Sequence, residues 1–181
     1  MMKQPMTFTK HFLIALCFLL IASFSFSQST ADSRLQIGTK APEIKLPNPN
    51  GDTVALSSLR GKIVLIDFWA SWCAPCLQEQ PELKTIYQKY QHQTFANADE
   101  FTIYAVSLDS KKTDWINAIE KIKVHWTQVS DLKFWNSAPA KLYDIEGIPY
   151  NFLIDGNGII VAKDVHGEDL INELKKFEKK G

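Results

Sequence analysis

The longest apolar stretch in the chain comes first. Residues 12–24 (FLIALCFLLIASF) carry no charge, follow a start containing Lys3, Lys10 and His11, and lead into Ser25-Phe26-Ser27 before Gln28. A basic start, a short apolar run and a small-x-small exit are the pattern of an export signal. A membrane-spanning helix would need roughly 20 apolar residues, more than this run supplies. Residues 1–27 are therefore expected to be a signal peptide removed after Ser27, with retention as an N-terminal anchor as the alternative. Cys17 lies inside the apolar run with Leu16 before it, where a lipidated cysteine requires a small residue, and it is expected to leave with the signal. Residues 28–36 are a polar lead-in, and 37–181 the folded domain.

Within that domain the apolar pattern changes period several times. Ile44 and Leu46, then Val54 and Leu56, are short extended pieces around PNPNGD, a turn sequence, and predict a β-hairpin. Ile63 to Ala70 (IVLIDFWA) is a continuous β-branched and aromatic run of the kind found in a central strand buried on both faces. Leu77, Leu83, Ile86, Tyr87 and Tyr90 recur at helical spacing over 74–91, with Pro81 expected to kink the helix. Phe101 to Leu108 reads as a second buried strand. A helix with Trp115, Ile116, Ile119 and Ile122 on one stripe follows over 114–122. A short strand is expected at 126–129, an irregular or helical stretch at 134–143, and a hairpin over 150–163 turning at Asp155-Gly156-Asn157-Gly158. Glu168 to Lys180 predicts a closing amphipathic helix with Leu170, Ile171, Leu174 and Phe177 inward. Strands alternating with helices, then a hairpin and a last helix, imply an α/β fold with a mixed sheet.

Composition narrows the function classes. Hydrophobic residues make up 45% of the 181 and charged residues 22%, values of a folded globular chain. Twenty basic and twenty acidic residues cancel, so no positive field exists to attract a phosphate backbone, and nucleic acid is not an expected partner. Loss of Lys3 and Lys10 with the signal leaves eighteen basic residues against twenty acidic ones, a net charge of −2. Two cysteines remain, Cys73 and Cys76, and export places them in an oxidising compartment.

Their setting matters more than their number. Both stand where a buried strand gives way to a helix, three residues apart, a spacing that brings the α-carbons within disulfide range. The positive end of the helix and its unpaired N–H groups stabilise a thiolate at Cys73. Cys76, one turn in and beside Pro75, is expected to be the more shielded, resolving member. A structural bridge over so small a loop would restrain the unfolded chain little. A zinc site would need two further ligands, yet His92, His125 and His166 are scattered singly, and covalent haem attachment would need His where Leu77 stands. Redox exchange fits strand, CxxC and helix together.

Ile66-Asp67-Phe68-Trp69-Ala70-Ser71-Trp72-Cys73-Ala74-Pro75-Cys76 closely resembles the active-site segment of the thioredoxin superfamily. Ala41-Pro42, Lys62-Ile63-Val64, Glu79, Pro81, Gly147-Ile148-Pro149 and Phe152-Leu153-Ile154-Asp155 are similar to its exported TlpA/ResA-type branch. The resemblance covers roughly residues 37–181. It implies a thioredoxin fold with an added N-terminal hairpin and a central insertion within residues 94–125. It also implies a thiol–disulfide oxidoreductase that works in the reductive direction on disulfide-bonded envelope proteins, apocytochromes c among the possible substrates. No cofactor or metal beyond the Cys73–Cys76 couple is called for. Re-reduction would come from a membrane-embedded thiol donor, and a periplasmic monomer is expected.

The resemblance also suggests roles for neighbouring residues. Asp67, inside an apolar strand six residues before Cys73, is a candidate proton acceptor for Cys76, since burial would raise its pKa. A hydrogen-bonded structural carboxylate is the alternative, and many TlpA-like chains resemble one another in having Asn there. Glu79 is a candidate for tuning the cysteines, against a solvated helix glutamate. Pro149 is expected to follow a cis bond from Ile148 and face the disulfide, with the Ile148 backbone available to an extended substrate. Tyr150 stands where related chains often have Thr. Trp72 and Pro75, with Ile148, Pro149 and Tyr150, make the expected substrate surface; Trp69 and Trp72 are read as packing groups. His166-Gly167 reads as a turn without chemistry. Two other functions remain open. A peroxiredoxin-like peroxidase would require Thr three residues before the cysteine, where Ala70 stands, and a non-catalytic binding or chaperone module would keep an inert disulfide.

Overall fold

The computed structural model describes residues 35–179; the signal-peptide reading and nearly all of the lead-in lie outside them. The organising element is the sequence KIVLIDFW. It forms strand β3 (Lys62–Trp69), in which every residue after Lys62 is buried, as expected of a strand with apolar side chains on both faces. The hairpin before it, β1 (Lys45–Pro47) and β2 (Thr53–Ala55), pairs antiparallel around the predicted turn. After β3 come helix α1 (Ala74–Tyr90), β4 (Glu100–Ser107), α2 (Lys112–Ile122), β5 (Thr127–Val129) and the short helix α3 (Ala138–Leu142). The chain ends with the hairpin β6 (Tyr150–Ile154) and β7 (Ile160–Lys163), then α4 (Gly167–Lys175).

Five strands form one sheet in the order β5-β4-β3-β6-β7. β3 lies at its centre, parallel to β4 and antiparallel to β6; β4 and β5 are parallel, β6 and β7 antiparallel. The sheet is mixed, as the alternation of strands and helices implied, and α1 packs against β4 and α4. Phe68, Tyr143 and Phe152 form an aromatic cluster against β3, with ring centroids 5.1–6.5 Å apart. The β6–β7 turn is closed by Asp155, whose Oδ1 accepts from the backbone N–H of Asn157 and Ile159 at 3.0 and 2.8 Å. Gly158 completes it at φ +81°, a conformation open to glycine.

Between β4 and α3 the chain holds α2 and β5, with β5 at the edge of the sheet beside β4. Two expectations about the elements need correction. The last helix stops at Lys175, not Lys180, because the chain there turns to pair with another segment. Phe177 O accepts from Ala96 N at 2.8 Å, and Glu178 bridges to Phe95. Packing also begins slightly earlier than the apolar pattern indicated, since Leu35 is buried.

Two buried phenols tie the N-terminal segment to the sheet domain. Tyr104 Oη donates to Val54 O at 2.8 Å, and Tyr143 Oη donates to Pro42 O at 2.5 Å. Burial raises the proton affinity of both phenols, so they remain donors across the physiological range. Tyr143→Phe is expected to lower the unfolding free energy by about 1–2 kcal/mol, because the Pro42 carbonyl loses its donor. Urea unfolding followed by tryptophan fluorescence measures this, with dithiol exchange rates expected to stay at the wild-type level.

Candidate active site

The turn from β3 into α1 carries Ser71-Trp72-Cys73, and a buried acid holds it in place. Asp109, just beyond β4, accepts from the Ser71 backbone N–H at 3.0 Å and from Ser71 Oγ at 2.5 Å. Ser107 Oγ donates to the same carboxylate at 2.7 Å. Cys73 N donates to Ala70 O at 3.1 Å, which closes the turn and makes Cys73 the N-cap of α1. Pro75 occupies the first turn of α1, where a missing N–H costs nothing. Pro81 lies within α1, which continues past it to Tyr90.

Cys73 and Cys76 are joined in a disulfide, with α-carbons 5.3 Å apart. Cys73 Sγ accepts from the Cys76 backbone N–H at 3.2 Å, so an anion on this sulfur would meet a helix N-terminal donor. The same sulfur lies 3.7 Å from the Ile148 carbonyl oxygen. A disulfide sulfur has no proton to donate, so this is a contact in the oxidised state; after reduction the carbonyl is placed to accept from the thiol. One neighbour thus favours thiolate and the other thiol. Both residues are buried, Cys73 at 4% exposure and Cys76 at 1%, so Cys73 is the less shielded residue of the pair.

The bond from Ile148 to Pro149 is cis, in agreement with the resemblance. Ile148 and Pro149, on the loop that meets Cys73, and Tyr150, the first residue of β6, are half-buried. On another side Trp72, 46% exposed, lies against two further exposed aromatic residues, Phe134 and Trp135, with centroids 5.2 and 6.0 Å away. Trp69 is instead fully buried, its indole Nε1 donating to Gln128 Oε1 at 3.1 Å.

Asp67 is paired in register with Ala105 on one side and Asn151 on the other, and is 5% exposed. The Asn151 amide bonds to the chain at Val165, donating to Val165 O at 2.9 Å and accepting from Val165 N at 3.0 Å. Burial without a compensating hydrogen bond raises the Asp67 pKa to about 7; the nearby Glu79 charge pushes it further the same way and His166 opposes it.

Glu79 is not a solvated helix residue. His166 Nδ1 lies 2.6 Å from Glu79 Oε1, and Nε2 lies 3.0 Å from Asp164 Oδ1. The hydrogen bond to Glu79, with that to Asp164, raises the His166 pKa to about 9 against the opposing effect of partial burial. His166, read from sequence as a turn residue without chemistry, is therefore part of the polar cluster around Asp67. Asp109 and Asn151, which position the turn and the His166 segment, also escaped the sequence reading. An acid two residues past a strand end was the one available signal for Asp109. No group of three or more His, Cys, Asp or Glu side chains suited to a metal occurs among the described residues.

A CxxC disulfide at the carboxyl end of a central strand, with a cis-proline loop against the Cys73 sulfur, defines a thioredoxin-fold thiol–disulfide oxidoreductase. Comparison with known proteins agrees. The chain belongs to the AhpC/TSA family, whose model matches residues 37–163. It is 31% identical over 169 residues to the thiol–disulfide oxidoreductase ResA of Geobacillus thermodenitrificans, covering 92% of this chain and 90% of that one. Among solved structures it is similar to the thioredoxin domain of a thiol–disulfide oxidoreductase from Bacteroides vulgatus, at 38% identity and a TM-score of 0.71, over 80% of this chain and 99% of that one. A thiol–disulfide oxidoreductase from Bacteroides fragilis is 35% identical with a TM-score of 0.69, over 76% and 98%.

The raised proton affinity of Asp67 has a sign in stability. Between pH 3.8 and about 7 the folded chain keeps a proton that the unfolded chain releases, so this group lowers stability as pH rises through that window. Asp67→Asn is expected to raise the unfolding free energy at pH 8 by about 1–3 kcal/mol, from roughly 1.4 kcal/mol per unit of pKa displacement. Urea unfolding of the oxidised protein from pH 4 to pH 8 should show a flatter dependence in the variant than in the wild type.

Proposed function

We propose that this enzyme is exported and reduces disulfides of envelope proteins, with Cys73 as nucleophile and Cys76 as resolving thiol. The observation that carries the reading is the placement of Cys73, whose sulfur accepts an N–H of the first turn of α1 and which is the less shielded residue of the pair. In the reduced enzyme the Cys73 thiolate attacks one sulfur of the partner's disulfide. A bond forms between Cys73 and that sulfur, and the partner's second sulfur leaves as thiolate. Cys76 then gives its proton to the Asp67 carboxylate as its sulfur attacks Cys73. The Cys73–Cys76 bond forms, the mixed disulfide breaks, and two electrons have passed from the enzyme dithiol to the partner.

A carboxyl that titrates near neutrality is suited to that proton, since it can accept at the working pH and return it on re-reduction. Trp72, Pro75 and the Ile148–Tyr150 segment are the surfaces an approaching partner meets. A membrane-embedded thiol donor would restore the dithiol. The basic and apolar character of residues 1–24 supports export, and the reductive direction rests on similarity to ResA-type chains. The peroxidase reading is disfavoured by Ala70, buried and without a hydroxyl three residues before Cys73.

Cys73→Ser is expected to reduce the rate of disulfide reduction in a model protein such as insulin to background. Cys76→Ser should accumulate mixed disulfides through Cys73, visible as thiol-sensitive bands on non-reducing gels. Full activity of the Cys73→Ser protein would exclude this mechanism, and rapid peroxide consumption by Cys76→Ser would favour the peroxidase.

A further inference from the structure

The loop between β7 and α4 sets one imidazole among three carboxyl groups, those of Asp67, Glu79 and Asp164. Asn151 holds both backbone polar groups of Val165, the residue before His166. On the other side Gly167, at φ +49°, packs so closely that a β-carbon there would lie 2.8 Å from Glu82 Oε1. The chain is thus held at Val165, next to His166, and the ring of His166 meets a carboxylate at each nitrogen. Nδ1 faces Glu79 Oε1 at 2.6 Å and Nε2 faces Asp164 Oδ1 at 3.0 Å. A neutral imidazole has one N–H and cannot donate to both; two ionised carboxylates select the doubly protonated ring.

The charged groups that act with this ring are Asp67 on β3, Glu79 on α1 and Asp164 on the loop itself, while Glu82 on α1 lies beside Gly167 and Tyr150 on β6 feels the Asp164 charge. Asp67 feels two of these charges in opposite directions, the Glu79 carboxylate favouring its protonated form and the His166 cation its ionised form. We propose that His166 is a positioning residue for dithiol exchange: as an imidazolium clamped by Asp164 it holds Glu79 in place and offsets that carboxylate's field at Asp67. It thereby sets the pH at which Asp67 can take the Cys76 proton. The inference rests on the reading of Asp67 as the acceptor of that proton, and His166 itself touches neither sulfur nor substrate in this scheme.

Removing the cation while keeping a hydrogen-bonding side chain leaves Glu79 uncompensated. In His166→Gln the midpoint of the pH–rate profile for insulin reduction is expected to move to higher pH, with the rate at pH 6 about three- to tenfold below wild type, a displacement of roughly 0.5–1 pH unit. His166→Arg keeps a cation able to donate to two carboxylates and is expected to restore the midpoint. A merely structural role would lower rates at every pH and leave the midpoint unmoved. The thiolate absorbance of the reduced protein at 240 nm, titrated with pH, reads the same field without turnover; the Gln variant should again shift upward. Imidazole proton resonances of the wild-type protein should show His166 still protonated well above pH 7, and Asp164→Asn should bring that transition down. Unmoved midpoints in His166→Gln, equal shifts in the Gln and Arg variants, or titration of wild-type His166 near pH 6.5 would each overturn the proposal. Loss of insulin reduction as the function, with the thiolate shift intact, would instead remove the exchange reading and leave the electrostatic one standing.

Discussion

Burying β3 on both faces decides where everything reactive can stand. A strand with apolar side chains above and below must lie at the middle of a covered sheet, and its carboxyl end is where the chain next reaches the surface. The turn into α1 falls at that point, so the cysteines receive the helix N-terminus as a partner and the strand as an anchor. Asp109 secures the turn from the neighbouring strand β4 through both the backbone and the hydroxyl of Ser71. The cis-proline loop reaches the same place because β6 runs antiparallel beside β3, with Tyr150 opposite Phe68.

The same burial has a cost at Asp67. A carboxyl group in the middle of such a strand loses water, and the adjacent Asn151, the one polar neighbour in register, spends its amide on Val165. That expenditure is also what sets the loop carrying His166. One side chain on β6 thus lies in register beside Asp67 and also holds the backbone next to the imidazole whose charge opposes that of Glu79. The polar cluster combines a deprived carboxyl, a second carboxylate that aggravates the deprivation, and an imidazole that relieves it.

The parts legible in the sequence were those encoded locally. The continuous apolar run of β3, the CxxC at its end, the Asp-Gly-Asn-Gly turn and the stripes of α1 and α2 each occupy a few consecutive turns or alternations, and each lies where its pattern put it. Asp67 stood out as an acid in an apolar run. His166 did not, because its meaning comes from Glu79, 87 positions earlier, and Asp109 acquires its role from Ser71, 38 positions away. The premature end of α4 has the same origin: its helical stripe continues to Phe177, yet a long-range pairing with residues 95 and 96 outweighs the propensity. Pairings between distant segments leave no periodic trace in either one.

The N-terminal segment does more than lengthen the domain. Residues 38 to 41 lie along the outer side of the β6–β7 hairpin, where Gly38 N donates to Ile160 O and Thr39 O accepts from Ile160 N, and at the opposite margin Ser130 N donates to Pro47 O. What is left of each outer strand is a run of three residues, Val161–Lys163 on one side and Thr127–Val129 on the other. Runs that short, one of them ending in an exposed lysine, are poor templates for a foreign strand. A disulfide-bearing protein can therefore come up to the dithiol without finding, at either margin, a long open strand edge to pair with.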